Sequence, residues 1–312
     1  MIKIPKSPVV SDRAFFGDRY RGGLVMSVGL ILEGGGNRGA YTAGVLDVLS
    51  ENDIYIPDTY GVSAGACNAM SYLSKQRKRN YHIYMDYASD PRYSGIRLLM
   101  KTGSLFGFDF IFGELAETLL PFDFDEFERT SMKLHICATD VETGKPVFFS
   151  NRDVKMGDCR ALIASASMPM VANIAELNGY KLLDGGITAP IPIDFAIKDG
   201  IQKNIVVLTR DRTFVKKDKP DVPLFLLKRK YKAYPNLIKA ILDRPKIYNR
   251  ERALCFEEQD KGNALLIVPS EPINIKRQSK NTEELEALYQ MGVRDTQQKL
   301  VEINRFIAMN TP

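Results

Sequence analysis

Residues 27–32, Ser-Val-Gly-Leu-Ile-Leu, form a short apolar run that ends in Glu33-Gly34-Gly35-Gly36-Asn37-Arg38-Gly39. Ala40 to Leu49 comes next, with Val45, Leu46, Val48 and Leu49 at helical spacing. An apolar run without alternation suits a strand buried on both faces, as parallel sheets require. The pattern recurs: a second strand is expected to end near Tyr60-Gly61-Val62, and a second helix to run from about Ala64 to Leu73. Strand, tight turn and helix in immediate repetition restrict the chain to an α/β class built on a mainly parallel sheet.

Beyond residue 75 the patterns are more varied. Residues 76–130 are expected to be mostly helical, and the Tyr- and Phe-rich part from 105 to 127 is expected either to pack in the core or to wall a pocket. Residues 132–149 predict a hairpin around Glu142-Thr143-Gly144-Lys145, and Gly157 to Ser167 a helix stopped by Pro169. Residues 178–186 read as an extended segment running into a glycine turn, and 203–210 as a further buried strand. Residues 216–223 have linker composition, and residues 224–312 are mainly helical in pattern with one strand-like insertion at 264–269. The expected organisation is an irregular arm over 1–23, an α/β domain over 24–210 and a mainly helical extension over 211–312.

Three glycine-rich turns carry the chemistry. In the first, successive N–H groups between strand and helix make an anion-binding nest, and the glycines admit close approach of a ligand. Gly34, Gly36 and Gly39 match the G-x-G-x-x-G spacing of dinucleotide sites, but the same N–H groups suit an oxyanion hole equally well. The second turn, Gly61-Val62-Ser63-Ala64-Gly65, fits the nucleophile elbow, where small residues flank a serine on a tight strand-to-helix turn. A dinucleotide site wants an acidic residue at the end of the second strand, and that end carries Ser63 instead. The third turn, Leu182-Leu183-Asp184-Gly185-Gly186, presents a carboxylate on what is otherwise a common Asp-Gly turn.

In this order, GGGNRG, GVSAGA and LDGG resemble the motifs of the patatin-like phospholipase family, and the match with its intervening strands covers about residues 27–210. The resemblance implies a three-layer α/β/α sandwich and hydrolysis of lipid acyl esters through a Ser-Asp dyad, with no metal or organic cofactor. It implies Ser63 as nucleophile, Asp184 as its partner and an oxyanion hole from the backbone around Gly34, Gly35, Gly36 and Arg38. The region beyond 210 carries none of the motifs and looks like the added helical region of one bacterial branch. Two other readings stay open: a catalytically silent lipid- or partner-binding protein of the same fold, and a dinucleotide-binding enzyme using GGGNRG.

A serine of this kind usually takes its base from histidine, yet the chain has two histidines in 312 residues. His135 lies in an apolar strand and His82 in a polar helical stretch, so neither is expected to serve. An unperturbed aspartate titrates near pH ~3.9, and burial is expected to raise Asp184 above that and make it a better base. Cys67, Cys137, Cys159 and Cys255 are scattered without metal-ligand spacing, which fits buried thiols in a reducing cytosol. The N-terminus lacks the apolar core of a signal peptide, and no run of about 18 apolar residues predicts a membrane span. Residues 224–250 hold eight Lys/Arg against one Asp, on a segment with Leu and Ile at roughly helical spacing. That segment is expected to be an amphipathic helix, with peripheral contact to anionic lipid as its functional reading. It lacks the modules of a nucleic-acid binder.

Overall fold

Val28–Leu32 (β1) is buried at all five positions, as its unbroken apolar run requires. The computed structural model describes residues 28–310 except 220, so the arm expected over 1–23 lies outside the described residues. β1 lies in the interior of an eight-stranded sheet. Asp58–Val62 (β2) and Lys203–Val207 (β7) flank it in parallel, and Ala264–Ile267 (β8) continues the sheet beyond β7, also in parallel. On the other side Lys133–Asp140 (β3) pairs in parallel with β2 and forms the expected hairpin with Pro146–Ser150 (β4). Tyr180–Asp184 (β6) joins β3 antiparallel and carries Ala175–Leu177 (β5) at the edge.

Helices cover both faces. Gly39–Glu51 (α1) and Ala64–Leu73 (α2) pack on one side with Leu30 and Leu32. The region from 76 to 130 is helical but broken: Arg79–His82 (α3), Ile96–Thr102 (α4) and Phe124–Arg129 (α5) alternate with π-helical turns at Ile83–Tyr87 and Phe110–Leu119. Gly95 and Gly103, with φ of 153° and 81°, bracket α4 and explain why no long helix forms there. Arg160–Ala166 (α6) starts later than the sequence pattern suggests, because Lys155 and Asp158 bridge across Gly157 and the Asp158 side chain accepts the Arg160 N–H.

The opposite face holds Ile193–Lys198 (α7) and Pro235–Asp260 (α9) over Ile31, Val206 and Leu208. The basic segment is two helices, not one: Leu224–Lys230 (α8) ends at a turn before Pro235 opens α9. Thr282–Asn310 (α10) returns to the first face and lies against α1, where Gly44 and Gly292 let the backbones meet. A Cβ on either glycine would overlap a carbonyl of the other helix, that of Tyr289 or Tyr41. Layers of helix, sheet and helix with helical C-terminal elements are thus the architecture, and one strand of the C-terminal region belongs to the sheet itself.

Candidate active site

β3 brings two turns together by register. Val62 of β2 opposes Cys137, and Asp184 of β6 opposes the next residue, Ala138. Since β4 pairs with residues 135–139 along one edge of β3, β2 and β6 must share the other edge in succession. The chain leaving β2 at Ser63 therefore meets the chain leaving β6 at Asp184.

Ser63 has φ 54° and ψ −124°, a conformation rare for a residue with a side chain and costly by about 1–3 kcal/mol. The motif glycines are what make room for it. A Cβ on Gly61 would lie 2.6 Å from Ala66 Cα, and one on Gly65 2.5 Å from the Leu32 carbonyl oxygen. The Ser63 N–H donates to Ser165 Oγ at 2.8 Å, which fixes the turn from a third element, α6. α2 begins at the next residue, so its positive end faces the serine.

Asp184 is held on both sides. Its N–H donates to the Ser167 carbonyl at 2.8 Å, and its own carbonyl accepts Thr139 Oγ1 at 2.9 Å. The Gly186 N–H donates to its carboxylate at 2.6 Å, and Gly185 lies so close to the Cys137 carbonyl that a side chain there would overlap it. Burial pushes the Asp184 carboxyl above the usual carboxylate range; the Gly186 N–H, the Ser63 side chain and the charges of Arg244 and Arg277 pull the other way. Ser63 and Asp184 are both buried.

The glycine loop lies against this pair. A Cβ on Gly34 would come 3.2 Å from Ser63 Cβ. Among the described residues, the N–H groups of Gly34, Gly35 and Gly36 make no hydrogen bond to protein, whereas the Arg38 N–H turns back to the Gly35 carbonyl at 3.4 Å. The Asn37 N–H is taken by the Arg277 carbonyl at 2.7 Å. Glu33, buried beneath the loop, accepts the Thr209 N–H at 2.6 Å and the Tyr248 hydroxyl at 3.0 Å. Arg38 is buried as well, and its guanidinium is lowered to about 9 by burial and by the nearby charges of Arg210 and Arg277.

An apolar cavity of about 90 Å³ opens onto Ser63, walled by Tyr84, Phe106, Phe108, Ile111, Phe112 and Met168. Part of the aromatic segment thus lines a pocket, while Phe110, Phe124 and Phe127 pack in the core. Neither histidine lines the cavity. His135 stacks on Tyr60 at 4.1 Å and faces Asp58 at 3.4 Å, at the start of β2 and away from its Ser63 end. His82 pairs with Asp86 at 2.9 Å on the surface. The supporting residues Glu33, Thr209, Tyr248, Ser165 and Arg277 carried no local sequence signal, because each acts across a long stretch of chain.

The family model described as patatin-like phospholipase matches residues 30–197, and one described as a domain of unknown function, DUF6363, matches residues 234–308. The chain is 28% identical over 187 residues to the uncharacterized protein YjjU of Escherichia coli (strain K12), covering 58% of this chain and 52% of that protein. It is 28% identical over 192 residues to the probable lipid hydrolase 463L of Invertebrate iridescent virus 6, covering 56% of this chain and 65% of that protein. The chain thus spans between about half and two thirds of the length of these curated relatives. Human GIVD cytosolic phospholipase A2, solved in complex with methyl gamma-linolenyl fluorophosphonate, aligns with a TM-score of 0.45 at 12% identity over 92% of this chain and 59% of that one.

Proposed function

The chain belongs to the patatin-like phospholipase family, and on that premise we propose that it is a serine hydrolase of lipid acyl esters, working through Ser63 and Asp184. The observation that carries the reading is the meeting of a strained, buried serine with a buried aspartate beside three glycine N–H groups that are unpaired among the described residues. The viral relative's name, probable lipid hydrolase, agrees with it.

In the proposed reaction Ser63 Oγ attacks the ester carbonyl and its proton passes to the Asp184 carboxylate. The carbonyl oxygen becomes an oxyanion, held by the N–H groups of Gly34, Gly35 and Gly36, with the Arg38 charge behind the loop. Collapse breaks the ester C–O bond, and Asp184 returns the proton to the departing alcohol. Water then attacks the acyl-serine, gives a proton to Asp184, and the fatty acid leaves as Ser63 is reprotonated. Asp184, raised by burial, suits this duty better than an exposed aspartate. The acyl chain lies in the cavity lined by Phe106, Phe108 and Phe112.

Ser63→Ala and Asp184→Asn each lower hydrolysis of a medium-chain lysophospholipid by at least about a thousandfold, with far-UV circular dichroism unchanged. Near-wild-type turnover by either folded variant contradicts the dyad.

Access to lipid is proposed at a peripheral membrane contact, with the protein otherwise in the cytosol. Val215, Leu224 and Phe225 are exposed among Lys217, Lys219, Lys228, Arg229 and Lys230, whereas α9 tucks Leu237 and Ile241 into the core. No helix among the described residues is long and apolar enough to cross a membrane. Sedimentation with vesicles containing anionic phospholipid is expected at low salt and to fall at 0.5 M salt, a value chosen because the Debye length then shrinks to about 4 Å. Equal sedimentation with neutral vesicles removes the electrostatic part of this contact.

A further inference from the structure

Among the described residues, the cavity that opens onto Ser63 has one charged side chain in its wall, Arg79 of α3. Arg79 is only 7% exposed. Its Nη2 donates to the Leu120 carbonyl at 3.0 Å, and its Nη1 lies 3.5 Å from Ser71 Oγ. Its Nε makes no hydrogen bond, and it enters no ion pair among the described residues. The guanidinium lies over Phe122, another wall residue, with Cζ 5.1 Å from the ring centre. Burial lowers it to about 10.

The polar groups around Arg79 satisfy one another without it. Asn80 donates to the Asn68 carbonyl and accepts the Ser71 hydroxyl, while Asn68 donates to the Gly39 carbonyl and accepts the Tyr84 hydroxyl. Carboxylates on neighbouring elements are engaged elsewhere. Asp47 accepts the Lys78 N–H and the Tyr289 hydroxyl, Asp86 pairs with His82, and Glu126 pairs with Lys75. Helix α2 sets the distance to the serine. It begins beside Ser63, and its Ala64, Cys67, Asn68 and Met70 line the cavity. Ser71, which Arg79 reaches, lies about two helical turns (~12 Å) beyond Ser63 along this helix.

A carbonyl and a hydroxyl leave most of the guanidinium donors unused, and a neutral donor would cap Leu120 as well. A cation kept in an apolar wall without a carboxylate is costly, and the cost is offset by an anion that enters the cavity. We propose that Arg79 binds a carboxylate at the end of the cavity remote from Ser63. The ligand class is an aliphatic chain of medium length that ends in a carboxylate. Resting on the hydrolase reading, its substrate form is an acyl ester whose chain carries a second, terminal carboxylate, as in the half-ester of a dicarboxylic acid. The ester carbonyl then lies at Ser63, the methylene chain along α2, and the terminal carboxylate on the guanidinium fork. A free fatty acid lying the other way round is the other source of the same chemistry.

The test has a binding arm and a turnover arm, both on the full chain. In the binding arm, monomethyl azelate and its neutral dimethyl ester are titrated by calorimetry into Ser63→Ala. The half-ester is expected to bind at least about tenfold more tightly, with the advantage lost when Arg79→Gln is added and partly kept with Arg79→Lys. Failure of folded Ser63→Ala to favour the half-ester overturns the proposal, as does a preference that survives Arg79→Gln. A purely structural Arg79 gives the first of these results and lowers turnover of charged and neutral esters alike. In the turnover arm, the p-nitrophenyl half-ester of azelaic acid is compared with p-nitrophenyl nonanoate. A fall of about tenfold or more in the azelate-to-nonanoate ratio of kcat/KM in Arg79→Gln assigns the carboxylate to the acyl chain. An unchanged ratio alongside charge-dependent binding assigns it to a free fatty acid. Because the binding arm needs no turnover, a protein inactive on both esters defeats the hydrolase reading without touching the carboxylate site.

Discussion

Asp184 is buried among groups that mostly favour its ionised form, yet burial outweighs them and its carboxyl lies above the ordinary range. Two consequences have a definite sign. As the base, Asp184 must be ionised, so the acid limb of kcat/KM is expected above the ~3.9 of a free aspartate. The folded state also holds this proton more tightly than the unfolded chain does. Ionising Asp184 therefore costs stability as pH rises from ~3.9 through the higher folded value. Asp184→Asn removes that cost and is expected to unfold at no lower urea concentration than wild type at pH 7. A limb at or below ~3.9, or an Asn variant clearly less stable, contradicts this account of the site. Ser63, Asp184 and the loop glycines were legible in the sequence because each sits in a contiguous motif whose glycines answer to a nearby backbone. Gly61 and Gly65, for example, clear Ala66 and Leu32. Tyr248, which supports the loop through Glu33, acts across 215 residues and left no local trace.

Strand β1, the two turns and the β3–β4 hairpin follow from periodicity and turn chemistry alone. The broken helices between α3 and α5 did not, because Gly95 and Gly103 interrupt a segment whose aromatic content is set by the cavity and core it must line. The joining of α8 and α9 into one expected helix failed for a similar reason: the basic residues continue through the turn, while Pro235 restarts the helix. Between α1 and α10 the fit depends on Gly44 and Gly292, which face carbonyls of the opposite helix. Tyr289 Oη donates to Asp47 at 2.8 Å and Tyr41 Oη to Asp295 at 3.0 Å, locking the same pair. Gly292→Ala is expected to lower stability by about 2 kcal/mol or more through forced separation of the helices. A urea midpoint equal to wild type would show that α10 can shift without penalty.

At the scale of the molecule, the sheet and the candidate site are built from distant parts of the chain. β8 and α10, from the region matched by the domain of unknown function, complete the sheet edge and cover α1. Just ahead of α10, Arg277 caps the glycine loop at Asn37. That the sheet is mainly parallel was within reach of the sequence, since unbroken apolar strands between helices are local patterns. The support of the glycine loop by Tyr248 and Arg277 was not, because each reaches it from beyond residue 210. The central claim is that Ser63 is the nucleophile. Intact-mass and peptide mapping after treatment with an alkyl fluorophosphonate tests it most directly. The account predicts one phosphonyl adduct, on the peptide containing Ser63, absent from Ser63→Ala and strongly slowed in Asp184→Asn. An adduct on another residue, or ester turnover that persists in Ser63→Ala, would contradict it.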